Sequence, residues 1–214
     1  MARRAYLVVA AILAITWMGT VISLATAANG VATQIIVIIR HGEKPTLGLG
    51  QLACQGLNRA LALPAVIEKQ FGKPDAIFAP DPAQAVSDDG QYYYYVRPLA
   101  TIEPTAIFFG LPLDASIGVF NLDALRHKLE SATYWNSLLV VAWEGHEVPK
   151  LARLLMSDNG GDPAVVPEWQ GSDDFDSEYV VRVERSTVGV SARFERLKEG
   201  LNGLPTACPS SQPK

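Results

Sequence analysis

Hydrophobic and polar residues follow two periods along this chain. Residues 33–40, "TQIIVIIR", form a β-branched run whose apolar stretch ends only at arginine, the pattern of a strand covered on both faces. "PDAIFAP" (74–80) and the apolar part of "NSLLVVAWEGH" (136–146) repeat it, and 178–184 reads as a further strand. Helical spacing runs over 57–71, where Pro64 implies a kink or two short helices. "RPLATIEPTAIFFGLPLD" predicts a short helix from Arg97 that stops at Gly110, followed by an extended segment. "NLDALRHKLES" predicts an amphipathic helix opened by Asn121 or Asp123, and "VPKLARLLM" another helix. "TLGLGQLACQG" is glycine-punctuated loop. "DPAQAVSDDGQYYYYV" is polar and turn-rich until its four tyrosines, which read as half-buried strand or loop cover. "SARFERLKEGLNGLP" is a short amphipathic piece before a flexible tail, 205–214. Strands alternating with helices predict an α/β fold: a three-layer sandwich with a mainly parallel central sheet flanked by helices.

The first 27 residues stand apart. Arg3 and Arg4 precede an uncharged run that ends in Ala25-Thr26-Ala27, the three parts of an export signal. Cleavage near Ala27 would yield an exported protein, periplasmic or secreted. The apolar run up to Leu24 is also long enough, at roughly 20 residues, to remain as a membrane anchor. Any membrane association is expected through that uncleaved segment only. Residues 28–204 then form one domain with a sizeable core, in a chain of 214 residues that is 49% hydrophobic.

The net charge of −4 includes Arg3 and Arg4, so the body is more acidic than the total. With no basic stripe, nucleic acid is not an expected partner, and any anion site must be a local cluster of cations. Asp173, Asp174 and Asp176 lack calcium-loop spacing and read as a solvated turn. Cys54 and Cys208 have no metal spacing; they either pair, tying the tail to the body, or stay as two unpaired side chains.

His127 lies on the polar face of its helix, but His41 and His146 each follow an apolar strand. Ligands of parallel α/β sheets gather at the carboxyl ends of strands, so these two imidazoles would share one edge. A neutral imidazole can attack phosphorus when cations neutralise the phosphoryl oxygens. Arg40 and Arg97 supply planar forks suited to phosphate oxygens.

"RHGEKP" after a strand resembles the signature of the histidine phosphatase superfamily, the phosphoglycerate-mutase-like proteins. "LACQGLNRAL", "RPLATIEPTA" and "VVAWEGHEVPKLARLL" are similar to three further blocks of that family, in order, over 34–183. The resemblance implies that His41 is a nucleophile forming phosphohistidine. Arg40, Arg97 and His146 would hold the phosphate, and Glu43 and Lys44 would line the entrance. It implies a small phosphorylated substrate, with no cofactor and no metal. Arg59 is read as a surface or helix-support residue rather than a ligand.

Two departures stand out. A long insertion before Arg97 replaces the family's serine-containing turn, and Gly145 stands where related exported proteins carry histidine. Gly145-His146-Glu147 also resembles the Gly-His-Asp element of the acid-phosphatase branch. On that alignment Glu147 is the first candidate proton donor and Glu144 the second, with Asp114 and Asp123 more remote. The expected function is an exported, metal-independent phosphomonoesterase. The alternatives are an impaired pseudo-phosphatase that binds phosphate esters and a membrane-tethered interaction protein.

Overall fold

The computed structural model describes residues 31–209 except residue 89. The expected signal or anchor (1–27) and the last residues of the tail lie outside the described residues. A six-stranded sheet contains β1 (Ala32–Arg40), β2 (Ala76–Pro80), β5 (Leu113–Ile117), β6 (Leu138–Trp143), β7 (Ser177–Ser186) and β8 (Gly189–Lys198). Its order is β5-β2-β6-β1-β7-β8. The first four strands in that order run parallel, while β7 pairs antiparallel with β1 and β8 antiparallel with β7. A separate hairpin, β3 (Ala85–Asp88) and β4 (Gln91–Tyr94), lies between β2 and the second helix.

Two helices cover each face. α1 (Cys54–Gln70) and α2 (Arg97–Phe109) press Leu63, Ile67, Ile102 and Ala106 against Val37, Ile39, Val140 and Ala142. α3 (Leu122–Leu129) and α4 (Glu147–Asp158) press Leu125, Leu151 and Leu155 against Ile36, Ile38, Val141 and Trp143. Because successive strand residues point to opposite faces, β1 and β6 feed both cores and must be apolar throughout. Burying each such aliphatic side chain contributes roughly 1.5–3 kcal/mol. The three-layer α/β sandwich is therefore the fold.

Several local expectations change. α1 starts at Cys54 and is one helix with Pro64 buried inside it, so of the two readings of Pro64 only the split into two short helices falls. "SARFERLKEG" lies within and just after β8, whose Arg193, Glu195, Arg196 and Lys198 put charge along the sheet's outer strand. The acidic turn is not simply solvated. Asp174 accepts from Arg196 at 2.7 Å and caps the amides of Asp176 and Ser177, while Asp176 is buried and accepts from the Leu201 amide. Of the tyrosines, Tyr92 and Tyr94 are exposed and Tyr95 is buried.

Cys54 and Cys208 are disulfide-bonded. The described part of the tail is held further by Asn58, whose side-chain amide donates to the carbonyls of Pro205 and Ala207. Residues 205–208 of the expected flexible tail are thus tied to α1.

Candidate active site

The site grows from one register. β1 and β6 pair in parallel so that Arg40 stands beside Trp143, and the His41 amide extends the ladder to the Trp143 carbonyl at 3.0 Å. Both chains leave the sheet at the same carboxyl edge, and their polar residues follow directly. The turn after His41 is tied to α2, because the Gly42 amide donates to Thr101 Oγ1 at 2.9 Å.

A cavity of about 710 Å³ opens at this edge, within the usual size range of small-molecule sites. Its walls include Arg40, His41, Arg97, Glu144 and His146, together with Glu43 and Lys44. The loop before β7 closes one side with Trp169, Asp173 and Phe175. His146 is exposed on the rim. Glu147, the first candidate proton donor, is not among the lining residues and instead accepts from Lys150 at 2.7 Å. Asp114 pairs with Lys128, Asp123 pairs with Arg126, and neither lines the cavity.

His41 is buried, with Nδ1 2.7 Å from the Gly42 carbonyl oxygen. A carbonyl can only accept, so Nδ1 carries the proton and Nε2 keeps a free lone pair. Burial pulls the imidazole pKa down to about 3, with Arg97 and Arg40 lowering it further against the opposing Gly42 hydrogen bond. The ring is therefore neutral at ordinary pH. Tyr95 meets it edge-on at 5.9 Å between centroids.

The two arginines are held in the same way. Arg40 Nη1 donates to the carbonyls of Ser172 and Asp174, at 2.7 and 3.2 Å, and its guanidinium lies 4.2 Å from the centre of the Phe175 ring. Arg97 Nη1 donates to Asp88 and to the Gly48 carbonyl, and its guanidinium lies over Tyr95. In both residues Nε is buried without a partner among the described residues. Buried donors of this kind are costly to leave unpaired. The contacts above occupy only Nη1, so Nη2 of each arginine is the donor left for an oxyanion in the cavity.

Gly145 has a steric reason. A Cβ there would lie 2.8 Å from Arg40 Nε and 2.9 Å from Arg40 Cδ, so any side chain would push the guanidinium aside. The next turn is also occupied: Glu144 Oε2 accepts from the amides of His146 and Glu147, at 2.6 and 3.1 Å. That carboxylate caps the start of α4 while lining the cavity.

Arg59 is not a surface residue. It is fully buried, donates to Glu43 and Glu199, and lies near Asp176. Glu43 is thus fixed from behind by a cation. Glu178 is also fully buried, and both of its carboxyl oxygens lack a partner among the described residues. Burial raises Glu199 to about 8, against the opposing Arg59, and raises Glu178 to about 7 with help from Asp176. Between the ordinary value of 4.5 and these values the folded chain binds more protons than the unfolded chain, so stability falls as pH rises through that window. His41 acts oppositely: from 6.5 down to about 3 the unfolded chain takes up the proton, so stability falls as pH falls. Where the windows overlap the two carboxyls outweigh the one imidazole, so the thermal midpoint should peak near the acid end of the carboxyl window, and Glu178→Gln should flatten the alkaline decline. A Glu178→Gln midpoint that falls with pH as steeply as the parent's contradicts this account.

No family model and no curated protein matches the chain. Among solved structures, a candidate phosphohistidine phosphatase SixA from Nakamurella multipartitia is similar at 11% identity and TM-score 0.48, covering 76% of this chain and 95% of that one. A mycobacterial glucosyl-3-phosphoglycerate phosphatase, in complex with inorganic phosphate, is similar at 14% identity and TM-score 0.48, with the same two coverages. A candidate SixA from Agrobacterium tumefaciens is similar at 14% identity and TM-score 0.47, covering 77% and 97%. These likenesses concern the course of the chain, and the functional reading rests on the cavity's side chains.

The basis for Arg40, His41, Arg97, Glu144 and His146 as candidates lies in strand ends and family-like blocks. Asp88 and the loop carrying Trp169 and Phe175 bear neither mark in the sequence. The one available signal for Asp88 was an acidic pair inside the insertion before Arg97.

Proposed function

We propose that the chain is a phosphomonoesterase of the histidine phosphatase superfamily, working through phosphohistidine at His41 without a metal. The observation that carries this reading is the pairing of a neutral imidazole, bare at Nε2, with two guanidiniums that line the same cavity. Nε2 attacks phosphorus, and the bond from phosphorus to the ester oxygen breaks. Arg40 and Arg97 take the phosphoryl oxygens, and His146 contributes from the rim. Glu144, whose Oε2 is engaged by the helix cap, donates a proton from Oε1 to the departing alkoxide. Water then attacks the phosphohistidine, giving a proton back to Glu144 and releasing phosphate. Glu147 is replaced in the donor role because it faces Lys150 rather than the cavity.

Export with removal of 1–27 belongs to the same proposal, and the Cys54–Cys208 bond supports it, since such bonds persist in oxidising compartments. A mature chain whose mass begins near Ala28 agrees with cleavage; an intact amino terminus favours the anchored form.

Rapid acid-free quenching during turnover of p-nitrophenyl phosphate tests the chemistry. We expect an acid-labile, base-stable phosphoryl group mapped to His41, with turnover unchanged by chelators. With this good leaving group, Glu144→Gln should accumulate more phosphoenzyme, because formation needs little acid while hydrolysis has lost its base; alkyl esters should slow by roughly 10²–10⁴-fold. Tight vanadate binding without any phosphoenzyme would instead identify a binder of phosphate esters.

A further inference from the structure

The inserted hairpin between β2 and α2 delivers one side chain that the proposed chemistry does not use. Asp88, the last residue of β3, is 6% exposed and is not part of the cavity wall. Its two oxygens are divided between two cations from different parts of the chain. Oδ1 accepts from Lys44 Nζ at 2.7 Å, and Oδ2 accepts from Arg97 Nη1. Arg97 and Lys44 both line the cavity, so Asp88 stands behind the anion-facing groups and grips them from the rear. Burial opposes its ionisation, yet Lys44 and Arg97 together hold its pKa below the ordinary value.

The surrounding backbone is shaped to admit this carboxylate. Gly48 has φ +72, and a Cβ there would overlap the Asp88 carboxyl group. The Gly48 carbonyl accepts from the same Arg97 Nη1 that Asp88 holds. Gly50 accepts from the amides of Val96 and Arg97, which locks the loop before α1 to the hairpin's exit. One nitrogen of Arg97 is therefore immobilised by two acceptors, which leaves Nη2 for the cavity. A guanidinium is a rigid plane, so fixing Nη1 fixes where Nη2 points.

We propose that Asp88 is a positioning residue, which orients the Arg97 fork toward the phosphate and tethers Lys44 at the same edge. The inference rests on the phosphatase reading and assigns the insertion a role in it: the hairpin acts through Arg97 rather than by touching substrate.

The test is a double-substitution cycle on the exported chain, with p-nitrophenyl phosphate for turnover and orthovanadate for binding. Asp88→Ala should lower kcat/KM by about 10–100-fold and weaken vanadate binding in step, in protein that is folded at the assay temperature. Asp88→Asn, which keeps an oxygen for Nη1, should recover part of that loss. In an Arg97→Ala background, adding Asp88→Ala should cost less than about twofold, because the group it orients is gone. Equal losses in both backgrounds, or Asp88→Ala kinetics and vanadate binding within twofold of the parent, overturn the positioning role while leaving the phosphatase reading intact. A parent protein that neither turns over the ester nor binds vanadate overturns both.

Discussion

Replacing His41 by asparagine is expected to reduce turnover of a phosphate monoester by on the order of 10⁴-fold or more, the scale seen when a covalent nucleophile is removed. Asparagine is close in volume and can still donate to the Gly42 carbonyl, so the fold around the ring should survive. Vanadate binding should persist, because Arg40 and Arg97 keep their anchors on the Ser172 and Asp174 carbonyls and on Asp88. A loss of turnover with retained anion binding separates nucleophile from ligand. The pH dependence gives a second, independent reading. With its pKa down at about 3, His41 stays unprotonated as pH falls through 6.5. Single-turnover formation of the phosphoenzyme at saturating ester should therefore show no acid limb centred near 6.5 from this group. A midpoint there would mean that the imidazole is as basic as one in water, contrary to its burial beside two guanidiniums. Full activity in the asparagine variant would remove the covalent mechanism altogether.

The second large effect is on stability. The Cys54–Cys208 bond spans a sequence separation of 154 residues. Closing a loop of that size is worth about 5 kcal/mol in the chain-entropy account, and roughly 2–4 kcal/mol is the common measured gain. Substituting both cysteines by serine avoids a lone thiol and should move the urea midpoint down by about 1–2 M, given the usual dependence on denaturant for small proteins. The loss also loosens the strap that carries the chain from Glu199 past Asn58, so the buried Arg59 cluster should lose protection from hydrogen exchange before the sheet does. A midpoint shift below about 0.3 M would show that the Asn58 contacts and the Arg59 ion pairs hold the tail without the covalent link.

The two cores illustrate what periodicity reveals. In β1 and β6 every residue from 36 to 39 and from 138 to 143 is buried, and an unbroken apolar run is how such strands must read. The Asn121 cap is legible for the same local reason: its side-chain oxygen reaches the Ala124 amide, three residues away. The strand-end position of Arg40-His41 and of Glu144–His146 also follows from local pattern, since a polar group can leave a doubly covered strand only at its end. Glu147 shows where this logic stops. One residue of helical rotation, about 100°, separates a side chain that faces the cavity from one that does not.

What lay beyond reach in the chain's pattern is long-range pairing. Arg59 sits among apolar residues of α1 and looked peripheral, yet its partner Glu199 is 140 positions away and meets it only because β8 returns along the sheet's edge. Asp88 sits on a largely exposed hairpin, and nothing in its neighbours distinguishes it from a surface acid until the fold brings Arg97 and Lys44 to it. The carbonyls that hold Arg40 lie 132 and 134 residues downstream, in a loop whose own residues have no periodicity. Periodicity reports which way a side chain points from its own element, so elements, cores and strand-end candidates are readable along the chain. Ion pairs, the disulfide and the orientation of each guanidinium depend on strand order and crossovers, which bring together residues that carry no mark of one another in sequence.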